Sequence, residues 1–135
     1  MLVPNEERTV AALVHHVAWA YLIEIEPFHA MALGRPKAPW TLDGLNDVNA
    51  EHASQFAECG KQETLDLLGH NAARTAAIVR SLTPEHLARS GKYLESAPER
   101  TVEAWVDGVL SYHVDWHWQS IREALGTNGG PGLTL

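Results

Sequence analysis

Val10, Val14, Val17, Tyr21, Ile25 and Phe28 recur at intervals of three and four residues. That spacing lays one apolar stripe along an α-helix and does not fit the two-residue alternation of a half-buried strand. It predicts a first helix from about Glu6 to Leu33, closed by Gly34 and kinked at Pro27, where a backbone donor is missing. The periodicity returns three times. A second helix carries Leu45, Val48, His52 and Phe56 behind a cap at Thr41 or Asp43. A third, from about Gln62 to Leu82, carries Leu65, Leu68, Ala72, Ile78 and Val79. The last, from about Thr101 to Leu125, has the stripe Val102, Val106, Val109, His113, His117 and Ile121. Thr83-Pro84-Glu85 starts a short extra helix, and SGKYLESAPER reads as a turn-rich connection. Long helical segments with short connections predict an all-α protein, an antiparallel four-helix bundle.

The 135 residues suit one domain, placed at residues 1–125, with a flexible tail at 126–135. A formal net charge of −7 without a Lys/Arg cluster argues against nucleic-acid binding, which needs concentrated basic charge. The single cysteine, Cys59, excludes a disulfide framework within the chain and reads as a small buried hydrophobe. The opening MLVPNEERTV lacks an apolar signal-peptide region. The stretch from Val10 to Ile25 is interrupted by His15, His16 and Glu24, so no membrane span is expected. A cytoplasmic protein is the expectation.

Eight histidines are many for this length, and their positions matter more than their number. His113 and His117 are four apart, on one face of a helix, and that face is the apolar stripe. Both imidazoles are therefore aimed at the interior, where an unpartnered polar group costs roughly 1–3 kcal/mol. Each can be an ordinary hydrogen-bonded core histidine, or a shared cation can satisfy both. His16, at the border of the first helix's stripe, is the candidate third ligand, with His15 as the alternative if the register differs. Three neutral imidazoles and one open position suit a catalytic zinc ion, and nickel or iron also accept imidazole. Zinc or nickel is expected.

Asn49 and His52 on the second helix are the candidate polar contacts to a substrate, and Trp116 is a candidate pocket wall or a plain packing residue. His29 suits a helix C-terminus, and His70 and His86 read as surface or helix-end residues. Asp115 falls opposite the histidines and reads as surface, and Glu24 and Glu26 receive no role. No glycine-rich phosphate loop or serine nucleophile elbow is present. No catalytic residue is assigned.

The stretches TVAALVHHVAWA, LNDVNAEHA and TVEAWVDGVLSYHVDWHWQSI follow in order the pattern of the DinB/YfiT-like superfamily, and the chain resembles it from about Glu6 to Leu125. That superfamily includes the mycothiol-dependent maleylpyruvate isomerase N-terminal domain and related thiol-dependent transferases. His16 in Leu13-Val14-His15-His16-Val17-Ala18 falls on the first histidine of the family pattern, and His113 and His117 fall on the last two. Asp47-Val48-Asn49 departs from the D-x-x-N element, and Gln119-Ser120-Ile121 shifts the Gln-Ile pair by one residue. The resemblance implies a four-helix bundle with a divalent metal on three histidines and often a homodimer. It further implies a low-molecular-weight thiol used in transfer to, or isomerisation of, a small-molecule substrate. The rival expectations are a non-catalytic metal- or haem-binding bundle acting as a sensor or interaction module, and a dimeric interaction protein whose histidines bind nothing.

Overall fold

The computed structural model describes residues 2–3, 6 and 8–126. In chain order these form β1 (Leu2–Val3), β2 (Arg8–Thr9), α1 (Val10–Ala32), α2 (Leu42–Gln55), α3 (Lys61–Ser81), α4 (Pro84–Ala88), β3 (Ser90–Gly91), β4 (Arg100–Thr101), α5 (Val102–Trp105), a π-helical stretch (Val106–Ser111) and α6 (Tyr112–Ala124). The protein is mostly helical, as the periodicity predicts. Residues 127–135, expected to be a flexible tail, lie outside the described residues. Among the described residues no helix is long and apolar enough to cross a membrane.

Helix α1 is the centre of the fold. Its first half is buried nearly all round, at Ala12, Leu13, His15, His16, Val17, Ala18 and Ala20. Such burial requires neighbours on several sides, and α2, α3, α5, the π-helical stretch and α6 all pack against it. It starts later than the sequence predicts. Thr9 caps it, its hydroxyl accepting from the Ala12 amide at 3.1 Å, so Glu6 lies in a turn before the helix. That turn joins β1 to β2, with Leu2 opposite Thr9 and Val3 opposite Arg8. At the other end Gly34 adopts φ +73°, the left-handed conformation that ends helices.

Helix α3 packs on α1 through a polar edge. Thr64, Asn71 and Thr75 are its buried residues, whereas Leu65 of the predicted stripe is exposed. The Asn71 amide donates to the Ala18 carbonyl of α1 at 2.8 Å. Thr41 and Thr83 cap α2 and α4 as predicted, accepting from Gly44 and His86 amides at 3.0 and 3.2 Å. His86 also accepts from the Thr83 amide at 3.2 Å, so it closes a reciprocal cap instead of lying idle at a helix end. The connection after α4 is more ordered than a turn: β3 pairs with β4, and Trp105 donates its indole hydrogen to the Gly91 carbonyl at 2.9 Å.

Two apolar clusters sit at opposite ends of α1. Val3, Leu13 and Ile121 form the smaller. Ile25, Phe28, Met31, Ala32, Tyr93, Val102, Trp105 and Leu110 form the larger. Between them the buried residues turn polar: His15, His16, Glu24, His52 and His117. The last helical run reaches both clusters only because of its π-helical stretch. Trp105 and His117 are twelve residues apart and in a straight α-helix would face about 120° apart. Absorbing one residue in a wider turn reduces that to about 20°. The predicted stripe assumed an unbroken α-helix, so Val106 and Val109 are half-buried, and Trp105 and Leu110 replace them in the core.

Candidate metal centre

The polar layer between the two clusters contains three converging imidazoles. His16 comes from α1, and His113 and His117 from successive turns of α6. The Nε2 atoms of His113 and His117 are 2.8 Å apart, and that of His16 is 3.2 Å from His113. One ligand nitrogen from each of the three lies within 4.8 Å of the others. Nitrogens about 2.0–2.1 Å from a tetrahedral zinc stand roughly 3.4 Å apart, so this set is of the right size.

The far sides of two rings are held by carboxylates. His117 Nδ1 is 3.0 Å from Glu6 Oε1, and His113 Nδ1 is 3.2 Å from Glu24 Oε1. An acidic partner on Nδ1 fixes the tautomer with hydrogen there and turns the Nε2 lone pair inward, as carboxylates do behind metal-bound histidines. Burial pushes the His16 pKa down to about 2, with repulsion from Arg8, His113, His117 and His52 acting in the same direction. Burial, then His117 and Arg8, push His113 to about 4. His117 is also lowered, by burial first, although Glu6 acts against the shift. The three rings are neutral at neutral pH, the state that ligates metals.

Neutral rings cannot satisfy this geometry alone. His113 Nε2 carries either one hydrogen or one lone pair, so it makes a good hydrogen bond to His16 or to His117 and never to both. His16 Nδ1 and Glu24 Oε2 are buried without partners among the described residues. Burial also raises the Glu24 pKa to about 8, so an ionised Glu24 here requires positive charge nearby. A dication between the three Nε2 atoms replaces the lone-pair conflict with three bonds and supplies that charge. The residues present therefore fit a divalent metal.

Beside His16 and His113 lies a cavity of about 250 Å³. Ile23, Leu45, Leu94 and Val109 give it apolar walls, and Glu24 and Asn49 are polar groups on its lining. Asn49 thus reaches the cavity, as a substrate contact must. His52 does not line it. That ring is buried behind, its Nε2 2.8 Å from His15 Nδ1 and its face stacked on Trp19 at 4.6 Å. His15, the alternative ligand, is engaged in this pair. Trp116 stands outside the cavity, half exposed, with its ring centroid 4.9 Å from that of His117. Asp115 is exposed, as expected.

Four residues of the centre escaped the sequence reading. Glu24 carried a signal, because it sits four after Ala20 and four before Phe28 on the buried face of α1. Trp19 is one turn after His16. Glu6 and Arg8 carried none, since a turn and strands of two residues leave no periodicity to read. No family model, no curated protein and no solved structure matches the chain.

Proposed function

We propose that the protein is a metal-dependent enzyme of the DinB/YfiT-like type, an antiparallel four-helix bundle of α1, α2, α3 and the α5–α6 run. In this reading His16, His113 and His117 hold one zinc or nickel ion with a coordination position left open. The reaction is a transfer or isomerisation that uses a low-molecular-weight thiol on a small-molecule substrate, in the cytoplasm. The observation that carries the reading is the pair of Nε2 atoms 2.8 Å apart on His113 and His117, each ring tied to a carboxylate through its other nitrogen. A divalent cation at such a centre lowers the pKa of a bound water or thiol and yields a nucleophile at neutral pH.

The chain's own groups then have distinct parts. Glu6 and Glu24 fix the ring orientations. Ile23, Leu45, Leu94 and Val109 give the cavity its apolar walls, and Asn49 offers a hydrogen bond to a bound molecule. No fourth protein ligand joins the three histidines among the described residues, which favours an open catalytic site over a closed structural one. A homodimer belongs to the same reading, and exposed Leu65, Tyr112 and Trp116 supply apolar surface for it. The rival sensor reading with haem is disfavoured by size. The cavity of about 250 Å³ is below the roughly 300–1,000 Å³ of sites for drug-sized ligands.

The test is the metal content of untagged protein by mass spectrometry, for wild type, His16→Ala and His113→Ala. The expected result is one ion per wild-type chain and a loss in both variants. Metal-free wild type after growth and dialysis with zinc or nickel would overturn the reading. The loaded protein is then screened with thiols and electrophiles. Turnover that disappears in His117→Ala identifies an enzyme, and a loaded protein with none identifies the non-catalytic module.

A further inference from the structure

The turn that delivers Glu6 to His117 also delivers a cation. Arg8 is paired with Val3 in the β1–β2 hairpin, two residues after Glu6 and just before the Thr9 cap of α1. Strand β1 packs on α6 and β2 on α1, so the hairpin bridges the two helices that supply the histidines. Arg8 is half-buried, and its Nη1 is buried and meets no hydrogen-bond partner among the described residues. The guanidinium also lies close enough to repel protons from His16, His52, His113 and His117 alike.

A guanidinium whose Nη1 is buried and unpartnered among the described residues, beside a dication site, makes little sense for the protein alone. The two positive groups repel each other, and the guanidinium leaves an N–H unsatisfied. An anion resolves both problems. Counting charges leads to the same ligand: Glu6 and Glu24 offset the dication, and Arg8 then leaves one positive charge uncompensated. A single monoanion cancels it. A carboxylate has the shape for the task, with one oxygen for the open metal position and the other for a guanidinium N–H.

We propose that Arg8 is a positioning residue that binds the carboxylate of a small monoanionic substrate across the hairpin while its second oxygen meets the metal held by His16, His113 and His117. This rests on the metal reading above and adds the substrate class, small carboxylates. It also assigns the N-terminal hairpin a function: it carries both a group that orients a ligand and a group that recognises a substrate.

The experiment uses the full chain loaded with cobalt(II), whose visible absorption reports changes at the open position. Acetate is titrated against acetamide, a neutral molecule of the same shape, in wild type, Arg8→Gln and Arg8→Lys. The expected result is a saturable acetate-dependent spectral change in wild type, weakened ten-fold or more in Arg8→Gln and less in Arg8→Lys. Acetamide binding, whatever its strength, should be the same in all three proteins. Cobalt content and circular dichroism are measured on each, and Arg8→Lys retains the charge should Arg8→Gln fold poorly. Equal acetate affinity in wild type and both variants, or no acetate response at all in cobalt-loaded protein, overturns the Arg8 role and leaves the metal reading standing. A wild type that takes up no cobalt overturns both.

Discussion

His113 and His117 turn their Nε2 atoms toward each other at 2.8 Å because Glu24 and Glu6 hold the opposite side of each ring. The carboxylates therefore set the direction of the lone pairs. Glu6→Gln and Glu24→Gln are each expected to weaken zinc binding by about 10–100-fold without removing a ligand. Competition against a chromogenic chelator measures it, and unchanged affinity in both would show that the carboxylates do not orient the rings.

Metal removal should be felt by the whole fold. Three imidazoles crowd their ligand atoms into one buried layer between the apolar clusters, and an ion that binds only the folded state stabilises it by mass action. Zinc at about 1,000 times its dissociation constant corresponds to roughly 4 kcal/mol. A higher melting temperature on adding zinc to chelator-treated wild type, and little change for His117→Ala, is the expected pair of results in thermal denaturation.

Gly91 and Gly69 should respond oppositely to alanine. A Cβ at Gly91 would lie 3.0–3.2 Å from the side-chain atoms of Met31, which is itself buried in the larger core. Gly91→Ala is expected to cost about 1–3 kcal/mol. Gly69 lies within α3 with nothing among the described residues within 4 Å of its added Cβ, so Gly69→Ala should stabilise by about 0.5–1 kcal/mol. Chemical denaturation of the two variants side by side tests the contrast.

Thr75 is buried on α3 with a hydroxyl that meets no partner among the described residues. Valine keeps the branched shape and removes the unsatisfied group. Thr75→Val should raise stability by about 1 kcal/mol, read from the same denaturation curves. A loss of that size would mean that the hydroxyl is satisfied by water in solution.

How far the sequence announced this structure depends on the kind of signal. The stripe from Val10 to Phe28 forecast α1 because a long helix repeats its pattern many times. His16, His113 and His117 could be brought together on paper because two lie on one stripe and the third on the helix beside it. The rest lacked repetition. Arg8 acts from a strand of two residues and Glu6 from the turn before it, so their positions depend on the pairing of Val3 with Arg8 and Leu2 with Thr9 instead of on a period. The buried edge of α3 is Thr64, Asn71 and Thr75, polar residues that a hydrophobic pattern passes over. His52 looked like a substrate contact because a histidine near an apolar stripe suggests a cavity. It is instead consumed by His15 and Trp19.

The final helical run, from Val102 to Ala124, is one residue longer than its contacts require. The π-helical stretch takes up the surplus around Gly108, which is exposed and has no neighbour among the described residues within 4 Å of an added Cβ. Deleting Gly108 should shorten the run to a regular α-helix that still carries Trp105 and His117 to the same side, so the metal is retained. Inserting one alanine there adds a second surplus residue, swings His113 and His117 by about 100° and should abolish metal uptake while leaving helix content by circular dichroism nearly unchanged. The site can thus lose a residue more safely than it can gain one, an asymmetry that metal content in the two length variants measures directly.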